Sequence, residues 1–323
     1  MLKLNMSKNY KKSFFIRLAL ALIIMSSGLI WLVRNQRESL QKVLTVLPKF
    51  SIQCLIFVIL LDCLQILFMA IRFWLLYPKD HQAPLQNVFS AMSMGQTLNA
   101  FLPARAGDVY KVAVLTPKPA RPDFTILTLT GILTADKLVD LTSFLVLIFA
   151  FGSYKESSNS LTLFGPNSWK WILLIIATLL IFWPILIKKH WVKVKVWLFD
   201  FFKGFKNLLS PKQLFFSLGF AVLVWIVEAK ALQQLSLYQN YALSLTQCFF
   251  VLTVLNLAIA VPISVANIGP FEASIAFALK KLGMPLESAL AIATVHHGLQ
   301  VLSYVITGGV GWLFNRIKSF AGA

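Results

Sequence analysis

Six stretches of this 323-residue chain are apolar over about the 20 residues a helix needs to cross a bilayer: 14–33, 50–76, 124–152, 169–187, 213–237 and 286–314. That feature decides the class, because a water-soluble fold has no room to hide so many long apolar runs. Composition agrees. Hydrophobic residues make up 58% of the chain and charged residues 13%, against about 45–50% and about 25% in soluble domains. A water-soluble enzyme is excluded. Disorder is excluded too, since 27 Phe and 9 Trp bury more apolar surface than chain entropy can oppose. A cleaved signal peptide is the competing reading of 14–33, but that run is long and no small-x-small cleavage site is evident.

Two further apolar segments are broken. Residues 85–115 carry Gly95, Asn99, Pro103, Arg105, Gly107 and Asp108; residues 243–282 carry Asn256, Pro262, Asn267, Gly269, Pro270 and Glu272. Pro and Gly interrupt helices, and interrupted backbone survives at membrane depth only when buried in protein or lining a cavity. Each segment reads as a re-entrant helical hairpin; the competing reading is a kinked span plus a surface helix.

The formal net charge is +18, from 30 Lys and Arg against 12 Asp and Glu. Such a balance suggests either nucleic acid or cations gathered at the cytoplasmic face of a membrane. With the N-terminus inside and both hairpins returning to their own side, 20 cations fall inside, Arg72, Arg105 and Lys111 among them, and six outside. The expected fold is therefore an all-α integral membrane protein of the cell (inner) membrane. It has six full spans plus two re-entrant helical hairpins, N-in and C-in, and 1–323 forms one transmembrane domain. Residues 14–152 read span, span, hairpin, span, and 169–314 repeat that order from the opposite face. This is the pattern of an inverted repeat whose site lies where the broken elements meet.

Charge inside a bilayer costs at least about 2.5–3.5 kcal/mol at a helix centre, so each such residue needs a partner or a purpose. Asp62 sits mid-span in 50–76. Asp136 and Asp140 share a helix face, and Lys137 can pair with Asp140 three residues on, which reads either as a self-neutralising cluster or as part of a site. Glu228 and Lys230 point different ways and each looks for a partner on another helix, unless Lys230 snorkels. Arg105 and Asp108 flank Gly107 in the first break. Arg offers a permanently charged fork suited to phosphate, and helix N-termini freed at a break add N–H donors. The plainer reading is a surface ion pair in a turn. In the second break Glu272 either stabilises a new helix N-terminus or meets Arg105 or a cationic headgroup. Of His296 and His297, one lines a cavity or both are hydrogen-bonded core residues.

Residues 188–212 interleave cations with aromatics, as in a basic amphipathic helix on an anionic leaflet. Nucleic-acid stacking is disfavoured there because spans tether the segment at both ends. Cys54 and Cys63 are about 13 Å apart on a helix, too far to bridge. No CxxC, HExxH, Walker loop or GxSxG occurs, so neither a metal nor a cofactor is expected.

The run from Asn99 to Asp108, Asn-Ala-Phe-Leu-Pro-Ala-Arg-Ala-Gly-Asp, resembles the signature of the lysylphosphatidylglycerol synthase transmembrane (flippase-like) family. Gly269-Pro-Phe-Glu272 with Ala273, Gly283 and Ala289–Ala291 is similar to a second signature, with Phe271 where Arg is common. Asp136-Lys137-Leu-Val-Asp140 resembles a third, where Arg is more usual than Lys137. The resemblance covers nearly the whole chain. It implies an integral membrane protein that moves or handles anionic lipids, akin to the flippase domain that relatives join to a soluble synthase. This chain ends at Ala323, just past the last span, so it is expected to be the stand-alone membrane domain and aminoacyl transfer is not carried over.

The expected function is a lipid flippase or transporter for an anionic or aminoacylated phospholipid or related lipid-phosphate, and not an enzyme. Its partner is a membrane lipid, with no nucleic acid, and a homo-oligomer stays open. Substrate binding is expected at Asn99, Arg105, Asp108, Asp136, Lys137, Asp140, Glu228 and Glu272. The alternative is an intramembrane enzyme or accessory subunit acting on a polyprenyl-phosphate or phospholipid, for which Asp136, Asp140 and His296 are the candidate groups. A membrane scaffold is the third reading.

Overall fold

The computed structural model describes residues 50–102, 105–117, 124–151, 191–206, 210–260 and 267–321. Among these the regular structure is helical: α1 (Ile52–Leu75), α2 (Leu85–Phe101), α3 (Ala106–Leu115), α4 (Ile126–Phe151), α5 (Trp191–Lys203), α6 (Pro211–Leu237), α7 (Leu245–Ile259), α8 (Pro270–Lys281) and α9 (Leu286–Ala321). The runs expected at 14–33 and 169–187 lie outside the described residues, as do Pro103 and Pro262.

Three described helices are long and apolar enough to cross a membrane: Ile52–Leu75, Pro211–Leu237 and Leu286–Leu313 within α9. Helix α4 matches them in length at 26 residues but carries Asp136, Lys137 and Asp140 near its middle. Both broken segments are helix–break–helix: α2 stops at Phe101 and α3 starts at Ala106, while α7 stops at Ile259 and α8 starts at Pro270. Local chemistry explains the starts. Ser244 and Gln247 form a capping box at α7. Pro270 occupies the first position of α8, where its missing N–H removes nothing from the helix.

Two hydrophobic clusters mark the two ends of the bundle. One gathers Cys54 and Val58 of α1, Phe144 of α4, Leu235 of α6, Cys248 of α7 and Met284 after α8. The other gathers Phe73 and Leu76 from the far end of α1, Val88 of α2, Leu115 of α3, Leu129 of α4 and Ala221 of α6. The α2–α3 pair thus starts and finishes at one end, and the α7–α8 pair starts and finishes at the other. Helices α1 and α6 run antiparallel. Gln65 bonds Glu228, and Phe68 packs on Phe220 at 5.7 Å between ring centroids.

Small residues let α2 and α9 approach closely. Ser90 Oγ donates to the Gly311 carbonyl at 2.8 Å, and Thr97 Oγ1 donates to the Tyr304 carbonyl at 2.6 Å. Gly308 and Gly311 face these hydroxyls, as expected where apolar burial alone cannot drive helix association. The basic segment is helical over Trp191–Lys203 and docks on α4, where Gly131 meets the backbone of Phe201 and Gly204. Trp197, Phe199 and Phe202 point away from the bundle.

Candidate functional site

A cavity of about 250 Å³ lies between the two clusters, where both breaks and the middles of α1 and α6 converge. Its wall includes Asn99, Arg105, Asp108, Lys137, Asp140 and Glu228, six of the eight residues expected from sequence. Asp136 and Glu272 are not part of that wall.

The first break is stitched by Asn99. Its Oδ1 accepts from the Gly107 N–H at 2.7 Å, and its Nδ2 donates to Asp108 Oδ1 at 3.3 Å. One N–H at the start of α3 is thereby satisfied by a side chain of α2. The two helices touch backbone to backbone there: a Cβ on Gly107 would overlap the Gly95 carbonyl. Arg105 precedes α3 in the left-handed region, at φ 52°, which is uncommon for a long side chain.

Asp108 does not pair with Arg105, as the plainer reading of a surface ion pair would have it. Its partner is Lys111, whose Nζ donates at 2.8 Å from a side chain only 1% exposed. Arg105 is left exposed to the cavity and has no carboxylate partner among the described residues. Sequence reasoning placed Lys111 among the inside cations and missed its role; the signal was the i, i+3 spacing from Asp108 on one helix face.

The acidic cluster of α4 is also resolved differently. Lys137 does not neutralise Asp140. Instead Arg72 of α1, fully buried, bonds both acids. Its Nε donates to Asp136 Oδ1 at 2.7 Å, its Nη2 to Asp136 Oδ2 at 3.1 Å, and its Nη1 to Asp140 Oδ1. The planar fork reaches two carboxylates at once, bidentate on Asp136. Lys137 is freed to face the cavity, without an ion pair among the described residues. Arg72 thus holds both oxygens of Asp136, which is fully buried. The charge rule counts Arg72 among the inside cations, although it lies within the apolar run 50–76.

In the second break Glu272 does not meet Arg105. Its Oε2 accepts from the Gly269 N–H at 2.8 Å, and its Oε1 pairs with His297 Nδ1 at 2.6 Å. The plainer reading of Glu272 therefore holds: it closes the N-terminus of α8 and anchors it to α9. His297 stacks on Phe271 at 4.3 Å and lines the cavity. His296 is buried beside Phe271, away from the cavity wall. Asn267 also lines the cavity and, like Arg105, has positive φ, at 58°.

Glu228 finds partners on two other helices, as expected, and both are neutral. Its Oε2 accepts from Gln65 Nε2 at 2.6 Å, and Gln300 also bonds it. Lys230 instead bonds Gln233 on its own helix at 2.8 Å. No group of three or more metal-ligating side chains occurs among the described residues.

The cavity lining thus includes two cations without an ion pair among the described residues, Arg105 and Lys137, and two carboxyl groups with neutral or shared partners, Glu228 and Asp140. A pocket of about 250 Å³ has room for a small charged group.

The chain is similar to a UPF0104 membrane protein of Methanocaldococcus jannaschii. The two are 24% identical over 220 residues, which is 66% of this chain and 92% of that protein. No solved structure matches the chain. Residues 15–308 match the model of the lysylphosphatidylglycerol synthase TM region. With nearly its whole length matched and three described helices apolar and long enough to cross a membrane, this chain is a membrane protein of the lysylphosphatidylglycerol synthase TM region family.

Proposed function

We propose that the protein is a flippase or transporter for an anionic or aminoacylated phospholipid, or a related lipid-phosphate, in the cell (inner) membrane. The observation that carries this reading is the pair Arg105 and Lys137. Two cations from different elements share one cavity and have no ion-pair partner among the described residues. Unpaired cations inside a membrane protein are expensive, and a lipid phosphate is the abundant membrane anion that would repay them. The carboxyl groups of Asp140 and Glu228 in the same cavity suit an ammonium on the same headgroup.

The topology reading is supported by chain direction. The α2–α3 and α7–α8 pairs turn back at opposite ends of the bundle, and α1 runs antiparallel to α6. Both fit two re-entrant hairpins in an inverted repeat of 14–152 and 169–314, with six full spans and both termini inside. Arg72, Arg105 and Lys111 leave the set of loop cations, yet 17 against six still favours that orientation. The aromatic face of α5 fits a helix lying on the inner leaflet.

The enzymatic alternative is less well supported, since Asp136 and His296 lie off the cavity wall. The test is reconstitution with fluorescent short-chain phosphatidylglycerol and a leaflet-accessibility readout. Arg105→Gln and Lys137→Gln are each expected to slow translocation at least tenfold while the purified protein still elutes as a folded species. Wild-type translocation by the folded double variant would sink the phosphate assignment.

A further inference from the structure

Two carboxyl groups in the middle of the bundle have only neutral partners. Asp62 of α1 is 1% exposed and Glu228 of α6 is 8% exposed. Neither forms an ion pair among the described residues. Their ligands come as two rungs one helical turn apart. Gln65 and Gln300 bond Glu228, and three residues along each helix Ser303 Oγ bonds Asp62 Oδ2 at 3.4 Å. The i, i+3 spacing places Asp62 on the face of Gln65, and Ser303 on the face of Gln300.

The surrounding charges do not neutralise this pair. On α1, Asp62 is within electrostatic reach of Glu228. On α4, Asp140 is within electrostatic reach of Glu228, and Arg72 is already divided between Asp140 and Asp136. On α9, Tyr304 faces both acids, and His297 is engaged by Glu272. On α7, the titratable group is the buried Cys248. Lys137, Arg105, Asp108 and His297 share the cavity with Glu228 but do not bond it.

Two buried carboxylates with no cation are too costly to persist as a pair of anions. Neutral acids fit these partners: the Glu228 side-chain carbonyl oxygen accepts the Gln65 N–H, and Ser303 Oγ, whose own hydrogen goes to the Leu299 carbonyl at 2.8 Å, is free to accept an O–H from Asp62. Intramembrane acids in this setting typify proton pathways.

We propose that Asp62 and Glu228 form a proton-binding site that couples headgroup passage through the cavity to the transmembrane proton gradient. The inference rests on the lipid-transport reading for its coupling half alone. Glu228 belongs to both the acid pair and the cavity wall, so an anionic headgroup entering the cavity meets less repulsion when the pair holds its protons. By linkage, protonation must then favour anion binding to the same degree. Proton and anionic headgroup cross together.

Two measurements test the halves separately. The first is infrared spectroscopy of the purified full-length protein in detergent at neutral pH. A protonated-carboxyl C=O band is expected in wild type, reduced in Asp62→Asn and in Glu228→Gln and abolished in the double variant. A wild-type spectrum without the band, or a band unchanged in the double variant, overturns the proton site whatever the lipid assay shows. The second uses proteoliposomes with fluorescent phosphatidylglycerol, a clamped membrane potential and protein-free vesicles as control. A pH difference of one unit is expected to enrich the probe in the leaflet facing the alkaline side, up to about tenfold for one proton per lipid. Asp62→Asn is expected to lose the enrichment. Translocation in wild type that ignores the sign of the gradient refutes the coupling. A complete absence of translocation refutes the transport reading and, with it, the coupling, and leaves the infrared result to judge the acid pair.

Discussion

Replacing Arg72 by Met tests how the α1–α4 contact is built. The guanidinium is completely buried and makes three bonds to carboxylates: two to Asp136, itself fully buried, and one to Asp140, whose side chain is 22% exposed. Met keeps most of the apolar stem, so the loss is mainly electrostatic. Stripping a buried ion pair of one partner costs about 3–5 kcal/mol, because the other charge stays desolvated. The bulk of that penalty belongs to Asp136, since Asp140 borders the cavity. A second change, Asp136→Leu, removes the stranded charge. The double variant should therefore recover most of the loss, ending within about 1 kcal/mol of the native protein or above it. Equilibrium unfolding of the detergent-solubilised protein by SDS, run as a double-mutant cycle, reads the coupling directly. If Arg72→Met is as stable as wild type, or if the two losses simply add, the assignment of Arg72 as the structural counter-ion of Asp136 is wrong.

Other expected outcomes are more local. Gly107→Ala would push a methyl into the Gly95 carbonyl, while Gly309→Ala meets nothing within 4 Å. The first should lower stability by about 1–3 kcal/mol and the second should be silent, measured by the same unfolding assay. Asn99→Ala removes both the cap on Gly107 and a bond to Asp108. A loss of about 0.5–2 kcal/mol is expected, along with faster backbone hydrogen exchange at the start of α3.

Apolar run length located the described helices well. Run 50–76 became Ile52–Leu75, 213–237 became Pro211–Leu237, and 286–314 falls within Leu286–Ala321. The breaks were legible because Pro, Gly and polar residues cluster there within otherwise apolar runs, whereas an isolated Gly such as Gly131 or Gly308 stays helical. Pairing was not. Which acid meets which base depends on how helices far apart in sequence cross, as Arg72 and Asp136 do across 64 positions. The rule that basic residues flank spans on the inside also misled at Arg72 and Lys111, because a cation near a helix end looks the same in sequence whether it faces water or the core. Asp62 and Glu228 were visible as misplaced charges, but their neutral partners on α1 and α9 had no signature of their own.

Arg105 sits in a backbone conformation that glycine would occupy more comfortably. A non-glycine residue held there costs on the order of 1 kcal/mol or more. The position thus sets folding against chemistry: the residue best for the turn is not the one that puts a positive charge in the cavity. Arg105→Gly should relax the chain at the point where it empties the cavity of a cation, making a protein that folds at least as well and transports worse.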